Sequence, residues 1–328
     1  MVLHIEGLNM KLGLETESYH LLFQHKRMDI FDFIEQTWKL GLDGVEINII
    51  PDHNLHPQFG VLDSDDPTYL ARVKNAIQSR NLYCELDNRW TNQASLMKSI
   101  EIANGIGADI IRTYIKVDDF DPLNLQPIIE DIKQIIPVLK KHRIKLSLEN
   151  HEHETSDNII EIIKAVDSVW FGAHCDIGNS MMTWEDPIEA VHKLAPYTIS
   201  THFKDHIVTM HNDEPVVCGV PIGEGSIDID ECFAQLVEHS SITRINLEIC
   251  YPYCAPFSRE KGTGGVFKLA GAFEVKEPPF DPELIKPMDY YYPHKISQLA
   301  LETLIDAQIE GVKHSVAIMK KLRNKYCK

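Results

Sequence analysis

The residues best suited to chemistry in this 328-residue chain are Glu149, Asp176, His202 and Glu248. Each ends, or nearly ends, a short apolar run whose side chains alternate as in a strand. Leu146 and Leu148 fall on one face, Lys145, Ser147 and Glu149 on the other. Gly172, His174 and Asp176 share a face; Ser200, His202 and Lys204 oppose Ile199 and Phe203; Asn246 and Glu248 oppose Ile245, Leu247 and Ile249. If the apolar faces meet helices, the polar ones point inward together. Two Glu, one Asp and one His form an oxygen-rich set with one imidazole. Such a set suits one divalent ion, Mn²⁺ first and Mg²⁺ or Co²⁺ next, better than a thiolate-rich structural zinc. Without a cation the carboxylates would repel one another in a low-dielectric mouth.

The elements that must position these residues can be read from the spacing of apolar runs. Strands are expected at Leu8–Leu14, Gly44–Ile49, Leu82–Leu86, Asp109–Ile115, Ile144–Asn150, Trp170–Ile177, Ile199–Lys204 and Ile245–Cys250. Helical periodicity fills the intervals. Ile30, Phe31, Ile34, Trp38 and Leu42 mark one amphipathic face; Ile128, Ile129, Ile132, Ile135, Ile136 and Leu139 mark another. Ser156-Asp157 and Asp186-Pro187 read as helix starts. Eight βα units in series, with no break in composition, predict an α/β fold: a single (β/α)8 TIM barrel spanning residues 1–328. A doubly wound sheet would call for a Gly-rich phosphate loop after the first strand, and Leu8–Ser18 has no G-x-G-x-x-G. After the eighth strand a long loop insert, Tyr251–Pro293, is rich in Pro and Gly and carries Tyr253, Tyr290, Tyr291 and Tyr292. It is expected to be a lid over the barrel mouth or an oligomer interface.

Composition narrows the partners. The formal charge is −17, with 44% hydrophobic and 25% charged residues. That much apolar side chain excludes disorder, and the negative field disfavours nucleic acid. No apolar run reaches the roughly 18 residues that span a bilayer, so no membrane role is expected. Met1–Leu14 contains His4, Glu6, Asn9 and Lys11, which is no signal-peptide core. The seven cysteines are odd in number and mostly scattered, and read as reduced thiols in a cytoplasmic protein. Cys250 and Cys254 lie close together, but no second Cys/His pair completes a zinc finger.

L-E-N-H-E-H-E (Leu148–Glu154), C-D-I-G-N (Cys175–Asn179), T-H-F-K-D (Thr201–Asp205) and P-I-G-E-G-S-I-D (Pro221–Asp228) resemble the xylose-isomerase-like TIM-barrel superfamily, over roughly Leu8 to Cys250. That group holds sugar isomerases and epimerases, inosose dehydratases and endonuclease-IV-type enzymes. The resemblance implies that Glu149, Asp176, His202 and Glu248 are its metal quartet. Two departures are visible. Asn179 stands where endonuclease-IV-type members carry a metal-binding His and ketose 3-epimerases a substrate-binding one. Val208 stands where those epimerases carry an Arg. The E-N-H arrangement puts His151 on the side of Glu149, similar to related lyases acting on 3-oxo-sugars or their acids.

The chemistry the resemblance implies is proton movement. A cation gripping a carbonyl and an adjacent hydroxyl acidifies the neighbouring C–H and stabilises an enediolate. His151 is expected to be the acid/base, with Glu149 and Glu248 as further catalytic candidates. Glu46, Asn48, Glu85, Asp87, Arg112, Asn179 and Lys204 are expected to bind substrate hydroxyls. Arg112 and Lys204 could also hold an oxyanion or neutralise inner carboxylates. The expected activity is that of a sugar isomerase or epimerase on a small carbohydrate. The same site could serve a lyase: a 3-oxo-sugar acid decarboxylase, a dehydratase or a C-glycoside deglycosidase catalytic subunit. A non-catalytic barrel subunit is the alternative of another class. A homo-oligomer is expected, or a small second subunit in the deglycosidase case.

Overall fold

The computed structural model describes residues 10–52, 54–278 and 296–327. Its strands in chain order are β1 Lys11–Glu15, β2 Gly44–Asn48, β3 Tyr83–Asp87, β4 Ile110–Thr113, β5 Lys145–Glu149, β6 Phe171–Asp176, β7 Thr198–Phe203, β8 Asp205–His211, β9 Glu214–Val220, β10 Arg244–Leu247 and β11 Cys254–Pro256. Eight of them close a barrel in the order β1-β10-β7-β6-β5-β4-β3-β2, with every neighbouring pair parallel. These are the eight strands expected from the sequence, with ends displaced by a few residues. The fold is therefore a (β/α)8 TIM barrel.

The helices are α1 His20–Gln24, α2 Ile30–Lys39, α3 Pro67–Gln78, α4 Gln93–Ile106, α5 Gln126–His142, α6 Ser156–Val166, α7 Pro187–Leu194, α8 Ile229–His239 and α9 Gln298–Tyr326. α1 is buried all round, and the longer helices bury one stripe each against the outward apolar faces of the strands, so the main core is a shell around the barrel. In α5, Ile128, Ile129, Ile132, Ile135 and Leu139 are buried as their spacing predicts. In α2 the buried face is Ile30, Phe33, Ile34 and Thr37, and Trp38 is exposed, which corrects the expected stripe. Thr155, not Ser156, caps α6: its hydroxyl accepts from Asn158 N–H while Asn158 reaches back to the Thr155 N–H. Among the described residues no helix is long and apolar enough to cross a membrane.

Two features lie outside the expectation. β8 and β9 form an antiparallel hairpin turned at Asn212-Asp213, both with positive φ, and β11 pairs with β9 in a separate three-stranded sheet. The register sets Cys254 opposite Cys218, and the two form a disulfide. The expectation of seven reduced thiols is corrected for this pair. The contact needs both the hairpin and β11, and a separation of 36 residues does not reveal it. Of the expected Tyr251–Pro293 insert, residues 279–293 lie outside the described residues. Tyr253 Oη donates to Glu152 at 3.2 Å, and Phe257 and Phe273 stack on Trp184.

Candidate metal centre and cavity

Glu149 and Asp176 close β5 and β6, His202 lies near the end of β7, and Glu248 immediately follows β10. The register places Asp176 beside His202, and His202 beside Asn246, two residues before Glu248. Three carboxylates converge on one nitrogen as a result. His202 Nδ1 is 3.1 Å from Glu149 Oε1, 3.2 Å from Glu248 Oε2 and 3.8 Å from Asp176 Oδ2. Glu149, Asp176 and His202 each offer a ligand atom within 4.8 Å of the others. All three are fully buried.

Local motifs aim these atoms. Asp176 Oδ1 accepts from the Gly178 and Asn179 N–H groups at 2.8 and 2.9 Å, which turns Oδ2 toward the centre. Asn150 bridges β5 to β6, accepting from Asp176 N–H and donating to the Asp176 carbonyl. A Cβ at Gly178 would stand 2.7 Å from His206 and Lys204, so the close turn admits only glycine. The motifs around Asn150 and Asp176 are thus the backbone that fixes the ligands.

The other face of His202 looks down the barrel. Its Nε2 lies 3.2 Å from Glu46 Oε2 without hydrogen-bond geometry; that oxygen accepts from Asn246 Nδ2 at 2.7 Å, and Tyr83 Oη donates to Asn246 Oδ1 at 2.6 Å. Glu46 is fully buried and does not line the cavity. Its expected contact with substrate is therefore corrected. Glu85, in the same layer of the barrel, is taken up by Arg244 and Ser200.

Two cations answer the carboxylates. Arg112 binds Asp87 and Glu149. Lys204 Nζ lies 2.7 Å from Asp176 Oδ2, an ion pair without hydrogen-bond geometry, and also rests against Glu248. Burial alone would raise Glu149 and Glu248. Arg112 holds the first well below the usual carboxylate range, and His202 with Lys204 holds the second there. Burial instead pushes Asp176 up to about 7.

The donor set fits a divalent cation. Asp176 Oδ2 and Glu248 Oε2 are buried without a hydrogen-bond donor, beside an imidazole nitrogen that faces both. Hard oxygen ligands with one borderline nitrogen match Mn²⁺, Mg²⁺ or Zn²⁺. Glu149, Asp176, His202 and Glu248 would hold it.

Above this centre a cavity of about 280 Å³ opens at the C-terminal end of the strands. Asn48, Arg112, Asn179 and Lys204 line it, together with His151 and Glu248. His151 stacks on Tyr114, centroids 4.0 Å apart and planes 9° off parallel, with Nε2 4.0 Å from Glu149 Oε2. Burial pushes its imidazole down to about 3, so the ring is neutral near pH 7.

Sequence reading missed several groups. Arg89, Glu152, His206 and Tyr253 line the cavity from loops or from the hairpin, where strand alternation gives no guide, and Tyr114 lines it from just past the end of β4. His174 packs edge-on against His202, centroids 4.1 Å apart, and neither of its ring nitrogens has a hydrogen-bond partner. Its inward parity was legible; its contact with His202 was not.

Comparison with known proteins places this geometry. The profile of the xylose isomerase-like TIM barrel family matches residues 34–265. An uncharacterised protein, YihM of Escherichia coli K12, is 22% identical over 257 residues, 76% of each chain. The 3-oxo-isoapionate decarboxylase of Pectobacterium atrosepticum is 21% identical over 226 residues, 67% of this chain and 78% of that one. A crystal structure of the IOLI protein with a bound zinc atom superposes with a TM-score of 0.61 at 15% identity, covering 94% of this chain and 98% of that one. At such identities the structural likeness carries the fold alone. The match to the family profile over most of the chain carries more: this chain belongs to the xylose isomerase-like TIM barrel family.

Proposed function

We propose that the protein is a divalent-metal-dependent carbohydrate enzyme of the sugar isomerase/epimerase kind, moving a proton next to the carbonyl of a sugar or oxo-sugar. The observation that carries this reading is the convergence of Glu149, Asp176 and Glu248 on His202 Nδ1 at the floor of a polar cavity. Bound by these four residues, the cation, Mn²⁺ in our reading, would polarise the substrate carbonyl and acidify the adjacent C–H. The chain's own residues supply the rest. Arg112 anchors Glu149 and keeps it a ligand rather than a base. Asn48, Asn179 and Lys204 line the cavity and orient substrate hydroxyls. His151 is the acid/base: its ring is held parallel to Tyr114 and faces the cavity beside Glu149.

A lyase outcome is the second reading. It is favoured by the similarity to a 3-oxo-isoapionate decarboxylase, since loss of CO₂ or a β-substituent begins from the same activated carbonyl.

The test is exchange of the substrate C–H with D₂O, followed by NMR on a set of ketoses and oxo-sugar acids. Loss of a positioned general base costs about 10²–10⁴-fold. His151→Ala should lower exchange by that factor and leave metal uptake intact. Exchange at the wild-type rate would move the base to Glu149 or Glu248.

A further inference from the structure

Arg89 stands apart from the other cations of the cavity. Arg112 and Lys204 are spent on carboxylates, whereas no carboxylate pairs with Arg89 among the described residues. Its Nε–H donates to Tyr114 Oη at 2.5 Å, and its two terminal amino groups have no partner among those residues. A phenol accepts that bond without cancelling the charge. The two terminal amino groups, an edge that can grip a carboxylate, therefore line the cavity without a partner among the described residues.

The loop carrying Arg89 is held on both sides. Asn88 Nδ2 donates to Trp90 O and to Thr113 Oγ1, Thr113 Oγ1 donates to Trp90 O at 2.7 Å, and Ser95 Oγ donates to Arg89 O at 2.7 Å. Trp90 is held at φ 75°, a backbone state costly for a bulky residue and kept only where its surroundings impose it. The surroundings also form a cationic wall. Arg112 lies over the Tyr114 ring at 4.7 Å, Arg89 at 5.9 Å, and Lys116 lies over the Trp90 ring at 5.5 Å. Arg112 is buried, and Arg89 and Lys116 are each partly exposed.

We propose that Arg89 receives a carboxylate at the end of the substrate remote from the reacting carbonyl, so that the substrate is an oxo-sugar acid rather than a neutral ketose. The proposal rests on the metal-dependent carbohydrate reading above and adds the substrate class.

The test is calorimetric binding to Mn²⁺-loaded protein of matched pairs differing in one terminal group: D-fructuronate with D-fructose, and D-tagaturonate with D-tagatose. Wild type should bind at least one acid about tenfold or more tightly than its ketose, as a charge-assisted pair would give. Arg89→Gln should erase that preference while leaving ketose affinity and Mn²⁺ uptake within about twofold, and Arg89→Lys should restore part of it. Equal binding of acid and ketose by wild type, or equal weakening of both by Arg89→Gln, overturns the proposal and leaves the metal reading standing. Failure of wild type to take up Mn²⁺, or to bind any of the four sugars when loaded, overturns both.

Discussion

At the residue scale, His202 joins two layers of the barrel: Nδ1 faces the carboxylates of the mouth, and Nε2 faces Glu46 beneath. A ligating imidazole keeps its tautomer and orientation through the partner on its other nitrogen. Glu46 is therefore a positioning residue. Glu46→Ala should weaken Mn²⁺ binding about 10–100-fold, the usual cost of losing such a partner, and Glu46→Gln should recover most of it. Calorimetric Mn²⁺ titration of the two variants checks this; unchanged affinity in Glu46→Ala would leave the His202 orientation to other contacts. The case also marks what alternation can tell. It assigns a side chain to a face, and the inward faces of β5, β6, β7 and β10 were legible in that way. It does not assign depth. Glu46 and Asn48 share a face of β2, yet two residues along a strand are about 6.6 Å, the difference between the barrel interior and the cavity wall. Arg89 follows β3, beyond its alternating residues, and no periodicity marked it; Tyr114 shared the parity of Arg112 in the expected Asp109–Ile115 strand but was not singled out.

At the element scale, the two motifs T-H-F-K-D and P-I-G-E-G-S-I-D prove to be one construction. The Asp205 carboxylate, at the start of β8, accepts from the Gly223, Gly225 and Ile227 N–H groups at 3.0, 2.9 and 3.3 Å, and from the His206 N–H at 2.9 Å. It ties the loop after β9 to the hairpin that carries His206 into the cavity. A Cβ at Gly225 would stand 1.9 Å from Asp205 Oδ1, so glycine is required there. Asp205→Ala strands several partly buried donors and should destabilise the protein by about 1–3 kcal/mol, read as a lower urea midpoint at unchanged slope. An unchanged midpoint would mean that water replaces the carboxylate at no cost. The hairpin itself was missed because β7 runs into β8 with only Lys204 between them, and one long polar-apolar stretch conceals the change of sheet. Its turn residues, Asn212 and Asp213, were the available signal. The disulfide was hidden behind the same omission.

At the scale of the whole molecule, the (β/α)8 architecture was legible because eight outward apolar faces repeat at βα spacing, and the barrel needs little else. The price of gathering so many acids at one end is visible in stability. Burial pushes the Glu154 carboxyl, in the loop after β5, up to about 8. The folded state thus holds a proton that the unfolded chain gives up near pH 4.5. The stability from this neutral form is fully present below about 4.5, falls as pH rises toward 8 by at most about 1.4 kcal/mol per unit, and is gone above the folded value. Glu154→Gln should flatten the fall in urea-derived stability between pH 5 and 8 at fixed metal concentration; a wild-type slope in that variant would assign the dependence to other groups. The central claim is that the mouth of this barrel binds one divalent ion through Glu149, Asp176, His202 and Glu248. The most direct measurement is calorimetric titration of metal-stripped protein with Mn²⁺, for wild type, Asp176→Asn and His202→Ala, with circular dichroism to confirm that each variant is folded. The account predicts one ion per chain in wild type and at least a hundredfold loss of affinity in both folded variants, as removal of a direct ligand should exceed the 10–100-fold cost of losing an outer partner. Tight, stoichiometric Mn²⁺ in both variants, or none in wild type, would contradict it.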